Sequence, residues 1–325
     1  MPPFESWLYP TPSGLFCAPG GFHIDPQRAV ERAVITHAHS DHARPGHAAV
    51  LATPETIALM TARLGSAGRA SQAMALGERV RLGDVTVWLA PAGHVLGSAQ
   101  VVMEYQGTRA VVSGDYKRAA DRSCAAFEPV PCDLFVTEAT FALPIFRMPD
   151  PAAEIARLLA SLMLFPDRAH VVGAYSLGKT QRLIALLRDA GWDAPIHIHG
   201  ALVPMCTIYA RFGIELGALA PIEGPCPGAI VLAPSNADAA RWARGLADPV
   251  SCQASGWMLA GKRARQSGVE LKLAISDHSD WDDLLRTCAE VGAPDIWITH
   301  GGEAALIHAL AARGVRGRAL RQVGR

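Results

Sequence analysis

The chain reads as a layered α/β fold, and three observations carry that reading. Short apolar runs alternate with stretches of helical period. Six of those runs end on a residue able to bind a metal. A block in the middle keeps the alternation without such endings. The composition agrees. At 325 residues there is room for about two domains. Half of the residues are hydrophobic and 18% are charged, which excludes a disordered chain and supplies a substantial core. Thirty basic residues balance thirty acidic ones, so no overall basic surplus marks a nucleic-acid or membrane-surface binder. Any such partner has to be met by a local patch.

In chain order, Ala33-Val34-Ile35-Thr36 reads as a buried strand leading into His37, and Val85 to Leu89 leads on to His94. Ala110 to Ser113 leads to Asp115, and Leu134 to Thr137 leads to Glu138. Asp150-Pro151 predicts a helix start, with Ile155, Leu158, Leu159, Leu162 and Met163 spaced for one face. A strand from His170 to Ala174 and a helix from Thr180 to Ala190, stopped by Gly191, come next. Strands at Ile196 to His199 and Ala229 to Ala233 and a helix after Asn236 complete the middle. Leu271 to Ile275 then leads to His278, and Ile296 to Thr299 leads to His300. A last helix is expected over Glu303 to Ala312, with Gly314 as its stop. The metal-competent residues flank the middle block. The flanks, 1–142 and 269–325, are therefore expected to close into one domain around an insertion at 143–268.

The first residues, MPPFESWLYPTPSG, lack the basic start and apolar run of a signal peptide, and no stretch reaches the ~18 apolar residues of a membrane span. Seven scattered cysteines, odd in number and without CxxC spacing, argue against a disulfide framework and against a cysteine-type zinc site. A reducing cytoplasm and no membrane partner are the expectation.

The chemistry concentrates at Thr36-His37-Ala38-His39-Ser40-Asp41-His42, an HxHxDH motif. On an extended chain His37 and His39 project to one side and can share a metal, while Asp41 and His42 follow where the chain turns and can reach a second. Imidazoles with one carboxylate suit zinc, or manganese or iron. Four ligand types in six residues after a buried strand are hard to read as a histidine-rich surface loop. Gly93-His94-Val95-Leu96-Gly97-Ser98, Ser113-Gly114-Asp115 and Thr299-His300-Gly301-Gly302 each add a ligand in a turn, with Asp115 able to bridge two cations.

These motifs resemble the metallo-β-lactamase superfamily, whose fold is an αββα sandwich with a dinuclear site at the strand ends. The inserted block, with Glu138, His278 and His300 around it, resembles the β-CASP branch of nucleases. In that resemblance Glu138 is motif A, His278 in Ser276-Asp277-His278-Ser279-Asp280 is motif B and His300 is motif C. It covers nearly the whole chain. The phrasing from His37 to Gly46, with Pro19-Gly-Gly-Phe-His-Ile-Asp-Pro26, is most similar to bacterial ligase-associated DNA exonucleases. A histidine at motif C is more typical of RNA-directed members, so that motif leaves DNA and RNA both open, and the subfamily resemblance points to DNA.

What the resemblance implies is concrete. His37, His39 and His94 hold one zinc ion, Asp41, His42 and His300 hold the second, and Asp115 bridges. Such a pair activates water and clamps the scissile phosphate. His278 is the candidate general acid for the leaving sugar oxygen, and Glu138 orients a histidine from behind. The catalytic set is Asp41, His278 and Glu138. The implied partners are nucleic acid, a DNA ligase and a helicase. An RNA-processing nuclease is the first alternative. A hydrolase of thioesters or lactones is the second, and it leaves the insertion unexplained.

Gly173-Ala-Tyr-Ser-Leu-Gly178-Lys179-Thr180 matches the P-loop pattern between an expected strand and helix. No later strand ends in an aspartate suited to Mg²⁺, since Ala229 to Ala233 runs into Pro234-Ser235. The segment Gly178-Lys179-Thr180-Gln181 instead resembles the Gly-Arg/Lys-x-Gln loop of β-CASP proteins. Ser176, Lys179 and Gln181 are then candidates for a substrate backbone phosphate at a helix N-terminus. Two basic clusters, Lys262 with Arg263 and Arg265, and Arg313, Arg316, Arg318, Arg321 and Arg325, are further candidates for tracking phosphates.

Overall fold

A computed structural model describes residues 3–224, 226–235, 246 and 248–323. The chain divides into two compact units. The first comprises Met1–Ala120, Cys124–Pro144 and His278–Arg325. The second comprises Asp121–Ser123 and Ile145–Asp277.

The first unit is a sandwich of two sheets. One sheet runs in sequence order through β1 (Leu8–Thr11), β2 (Gly14–Cys17), β3 (Phe22–Ile24), β4 (Arg32–Val34), β5 (Ala49–Ala52) and β6 (Ala70–Ala73). The other is built from β7 (Val80–Leu82), β8 (Val85–Pro91), β9 (Ala99–Tyr105), β10 (Thr108–Val112) and β11 (Leu134–Ala139). It is completed by two strands from the far end of the chain, β18 (Asp295–Gly301) and β19 (Arg316–Ala319).

Side chains alternate along this second sheet with period two. Val85, Val87, Leu89, Val101, Met103, Val112, Leu134, Val136 and Trp297 point between the sheets, where they meet Leu8, Leu15, Phe22, Ile24, Val34 and Leu51. Their neighbours Trp88, Ala90, Val102, Val111, Phe135, Ile296 and Ile298 face the opposite way. Both faces are buried, which is why these strands read as continuous apolar runs.

Helices cover the outer faces. α1 (Pro54–Leu64) starts on Thr53, whose hydroxyl accepts from the Thr56 amide at 3.2 Å, and lies against β6.

The second unit holds a six-stranded, all-parallel sheet formed by β12 (His170–Ala174), β13 (Ile196–Ile198), β14 (Leu219–Ala220), β15 (Ile230–Pro234), β16 (Val250–Ala254) and β17 (Leu271–Leu273). Its spatial order is β14-β13-β15-β12-β16-β17. Its helices are α2 (Pro151–Leu164), α3 (Lys179–Asp189), α4 (Val203–Arg211) and α5 (Gly261–Gln266). α2 begins as expected, with Asp150 accepting from the Ala152 amide at 2.9 Å and Pro151 at the first helical position. The helix expected after Asn236 lies outside the described residues.

The chain returns to the first unit in α6 (Trp281–Val291) and α7 (Glu303–Ala311), which lie on the outer face of the second sheet. α6 buries Trp281, Leu284, Leu285, Cys288 and Val291 along one stripe. Asp280 caps its start by accepting from the Asp283 amide at 3.0 Å, and Gly292 closes its end in the left-handed region at φ +66°. Each fully buried side chain of that stripe contributes roughly 1.5–3 kcal/mol.

The insertion is longer than 143–268. Leu271–Leu273 pairs with β16, so this run is an edge of the second unit's sheet and not, as its ending on His278 suggested, a strand of the first unit. An apolar run of three to five residues carries no mark of which sheet it will join. Among the described residues no helix is long and apolar enough to cross a membrane, and the seven cysteines are free thiols.

Candidate metal centre

Strand direction brings the ligands together. β8 and β10 are each antiparallel to β9, while β10, β11 and β18 are mutually parallel. All four therefore finish at the same edge of the sheet. His94 and Asp115 stand just beyond β8 and β10, and Glu138 and His300 lie near the ends of β11 and β18. His37, His39 and His42 occupy the turn after β4 in the facing sheet.

Three groups form around Asp115: His37, His39, His94 and Asp115; His42, Asp115 and His300; and Asp115, Glu138 and His278. Within each group the donor atoms lie within 4.8 Å of one another. The two oxygens of Asp115 divide the work. Oδ2 faces His37 Nε2 at 3.6 Å and His94 Nε2 at 3.8 Å, while Oδ1 faces His42 Nε2 at 3.4 Å. Burial works against ionisation of Asp115, but the imidazoles of His42, His278 and His37 outweigh it and hold the carboxyl well below its ordinary range. His37 is wholly buried, and that burial, with His42 and His94 close by, pushes its imidazole well below its usual value and keeps it neutral. Burial also opposes a charge on His42, but Asp115 and Asp25 outweigh it and raise its imidazole.

The chemistry of the donor set fits divalent cations. The Nε2 atoms of His37 and His42 are buried without a hydrogen-bond partner, a costly arrangement unless an ion takes the lone pairs. Their Nδ1 atoms are engaged from behind. His42 Nδ1 donates to Asp25 Oδ2 at 2.7 Å, and His37 Nδ1 lies 3.1 Å from Thr36 Oγ1. Thr36 gives its hydroxyl proton to Asp25 Oδ2 at 2.6 Å, so the proton shared with His37 belongs to the ring. Both imidazoles thus present Nε2 to the centre. Asp25 Oδ1 also accepts from the Thr36 amide at 2.8 Å.

Asp25 was not among the expected site residues. It directly follows the three-residue β3 and precedes Pro26, in a left-handed conformation, φ +44°. The only signal for it was its presence in the Pro19-to-Pro26 segment.

Local backbone geometry serves the site. Gly114, at φ +57°, lies against Thr36, and a Cβ there would come within 2.7 Å of that side chain. In the β11–β18 pairing, Glu138 faces Thr299 and Ala139 faces Gly301, so His300 is the extra residue of a bulge. Its φ is +53°, a region histidine tolerates better than most residues. Ser98 Oγ accepts from the amides of His94 and Val95 at 3.0 and 3.1 Å and ties down that turn.

Asp41 is placed differently from the other residues of its motif. Its side chain is 65% exposed, and its Oδ2 lies 3.9 Å from His42 Nε2, at the rim and outside the three tight groups.

His278 Nδ1 lies 2.9 Å from Glu138 Oε2, and Glu138 Oε1 accepts from the Tyr116 amide at 2.8 Å. The carboxylate is 1% exposed and the imidazole 21% exposed. A buried carboxylate thus accepts from Nδ1 and fixes the orientation of the ring. The rings of His278 and His94 lie 4.7 Å apart, which sets His278 at the centre's border.

Two of the residues proposed for phosphate contact in the second unit, Lys179 and Gln181, turn inward. Thr180 Oγ1 donates to Tyr175 O at 2.7 Å, the Gly178 amide donates to Gln181 Oε1 at 2.8 Å, and Gln181 Nε2 donates to Ser176 O at 3.0 Å. Lys179 is 2% exposed. Its ammonium donates to Ile275 O at 2.7 Å and pairs with Asp277. The expectation that Lys179 meets a phosphate therefore gives way, because the loop's donors are already satisfied inside the unit. Three of the last arginines are also engaged, while Arg325 lies outside the described residues. Arg316 and Arg318 pair with Asp295 at 2.6 and 2.7 Å, and Arg321 pairs with Glu303 at 3.0 Å. Lys262, Arg263 and Arg265 remain exposed on α5, with Arg263 stacked 3.8 Å over the Trp257 ring.

No family model matches the chain. A protein named as a probable DNA ligase from Opitutus terrae is 28% identical over 308 residues, which is 93% of this chain and 30% of that protein. Cleavage and polyadenylation specificity factor subunit 3-I of Arabidopsis thaliana is 24% identical over 257 residues, 66% of this chain and 36% of that protein. The chain thus spans about a third of the length of these relatives. Among solved structures, a protein of unknown function from Enterococcus faecalis V583 shares the fold at a TM-score of 0.59, with 14% identity, over 83% of this chain and 75% of that one. Candidate ligands at the strand ends of a two-sheet unit, a parallel-sheet insertion between Glu138 and His278, and these relatives together support the resemblance to the β-CASP branch of the metallo-β-lactamase superfamily.

Proposed function

We propose that the protein is a two-metal phosphodiesterase that hydrolyses nucleic acid, with zinc as its cation and an end of DNA as its substrate, working beside a DNA ligase. The single observation that carries the reading is the divided carboxylate of Asp115, one oxygen turned to His37 and His94 and the other to His42. A pair of divalent cations held there would activate water and neutralise charge on phosphoryl oxygens. His37, His39 and His94 would hold one and His42 and His300 the other, with Asp115 between them and Asp41 at the rim.

The protein's own groups supply the rest. Asp25 and Thr36 orient the imidazoles. Glu138 accepts from Nδ1 of His278 and can balance the charge of its doubly protonated ring, the form in which Nε2 has a proton to give to a leaving sugar oxygen. Imidazole chemistry suits that transfer near neutral pH. The exposed cations of α5 offer a path for a phosphate backbone.

The ligase link is supported by the relative from Opitutus terrae, in which a region like this chain is part of a longer protein named as a ligase. An RNA-processing reading has its own support in His300 at motif C and in the relative named for cleavage and polyadenylation. The test is incubation with 5′- and 3′-end-labelled single- and double-stranded DNA and RNA of one sequence, with and without chelator. Chelator-sensitive loss of DNA label as mononucleotide is the expected result. Cleavage of RNA alone would favour the second reading, and no cleavage of any substrate would overturn both.

A further inference from the structure

The Lys179 ammonium is buried in the second unit with no role in the chemistry so far described. Taking an ammonium out of water is unfavourable unless its partners are well placed, so a lysine kept there has a structural task. Its two partners, Ile275 O and Asp277, lie in the seven residues between β17 and α6, a stretch without regular secondary structure. His278 is the next residue after Asp277. Along that stretch the Ala274 amide donates to Glu154 Oε2 at 2.7 Å and the Ile275 amide to Leu273 O at 3.0 Å, and the Lys179 contacts fall on Ile275 O and on Asp277, the residue before His278.

The lysine itself is firmly seated. It opens α3, whose first turn is locked by the bond from the Gly178 amide to Gln181 and by the bond from Thr180 to Tyr175 O. A helix start normally offered to phosphate is here spent on a peptide carbonyl and a carboxylate of the same unit.

We propose that Lys179 is a positioning residue for His278. By fixing Ile275 O and Asp277 it sets the path of the backbone into His278, and so the placement of the proton that His278 delivers. The inference rests on the reading of His278 as the general acid. Misplacing a reacting group by about 1 Å costs up to about 100-fold in rate. Lys179→Met should therefore lower kcat by about 10- to 100-fold with KM unchanged.

The test is a cycle of Lys179→Met, His278→Ala and the double variant on whichever nucleic acid the wild type cleaves, with bis(p-nitrophenyl) phosphate run alongside. That ester leaves as a stable anion and needs no proton. Since Lys179→Met removes the ammonium beside the buried Asp277, Lys179→Met with Asp277→Asn removes both charges, and thermal melting checks that each variant is folded. The expected result is a fall in kcat on nucleic acid, no further fall when His278→Ala is already present, and near-normal turnover of the nitrophenyl ester.

A raised KM at unchanged kcat would make Lys179 a substrate contact and overturn the proposal. So would losses that multiply with His278→Ala, or an equal loss on the nitrophenyl ester. A wild type that cleaves no nucleic acid overturns the general-acid reading and the clamp together. A cleaving wild type with a fully active, folded Lys179→Met variant overturns the clamp alone.

Discussion

Asp25→Asn offers a sharp examination of how the centre is built, because it changes one atom's chemistry without changing the side chain's shape. The carboxylate accepts three hydrogen bonds, from the Thr36 amide at 2.8 Å, the Thr36 hydroxyl at 2.6 Å and His42 Nδ1 at 2.7 Å. An amide can keep the first. Its nitrogen then faces two donors and itself donates. The Thr36 hydroxyl can rotate away, but the His42 ring cannot, since it is buried at 1% exposure. Its remaining course is to move its proton to Nε2, the atom that must stay bare for a cation.

The cost can be gauged in two ways. A hydrogen bond to a charged partner contributes about 1.5–3 kcal/mol. Losing an outer partner of a metal-bound histidine weakens affinity by about 10- to 100-fold, and tenfold corresponds to about 1.4 kcal/mol. The two ranges coincide, so the prediction is a 10- to 100-fold loss of affinity at the position of His42 and His300. The position of His37, His39 and His94 should change less, because Asp25 reaches His37 only through the Thr36 hydroxyl. Metal-free protein titrated in chelator-buffered zinc, with bound metal counted by elemental analysis, reads the two affinities separately. Wild-type affinity at both positions would refute the tautomer argument. Equal loss at both, with lowered thermal stability, would make Asp25 a general support of the fold instead.

Other substitutions probe the remaining parts. His278→Ala should cut turnover of nucleic acid by about 10²- to 10⁴-fold while metal content stays normal; loss of metal instead would make His278 a ligand. Asp41→Ala, at an exposed rim position, should leave thermal stability within about 0.5 kcal/mol yet abolish hydrolysis, and full activity would remove Asp41 from the site. Asp295 tests the C-terminal arginines. Burial raises its carboxyl, but its bonds to Arg316 and Arg318 outweigh this and hold it below the ordinary range. A depressed acid stabilises the fold fully above its unfolded value of about 3.9, and that stability is lost as pH falls through the folded value. Asp295→Asn should therefore flatten the acid side of a melting-temperature profile below about pH 4 while leaving nucleic-acid affinity unaltered. A drop in affinity would return the arginines to substrate contact. Chelator treatment should lower the melting temperature of the wild type, and restored zinc should raise it with concentration; an unchanged melting curve would mean that no ion binds the folded state.

Most candidate ligands stood out because they lie at or just past the end of a buried strand, and such strands are continuous apolar runs bounded by polar turns. Val85 to Leu89 and Leu134 to Thr137 carry that signature, and so do their endings at His94 and Glu138. The first three strands were not legible. They are three or four residues long, and their outward positions at Tyr9, Phe16 and His23 blur the alternation. Leu271–Leu273 was visible as a strand but not as a member of the inserted sheet, since pairing partners 19 residues away leave no local trace. Lys179 misled for a related reason. A glycine-rich turn before a helix looks the same in sequence whether its donors face a phosphate or a carboxylate brought from Asp277. Asp25 was the costliest omission, because a residue acting from behind a ligand needs no motif, only a neighbour in space.

The bulge that carries His300 makes the two halves of the centre unequal. On one side His37 and His94 are wholly enclosed, while His39 is partly exposed. On the other, His300 is mounted on an exposed kink near the end of its strand. A cation held at the centre would have a shorter way out past His300 than past His94. Exchange with the surroundings should thus be brisk at one position and slow at the other, and a purified sample would carry an uneven complement of metals that records its last buffer on one side and its cell of origin on the other.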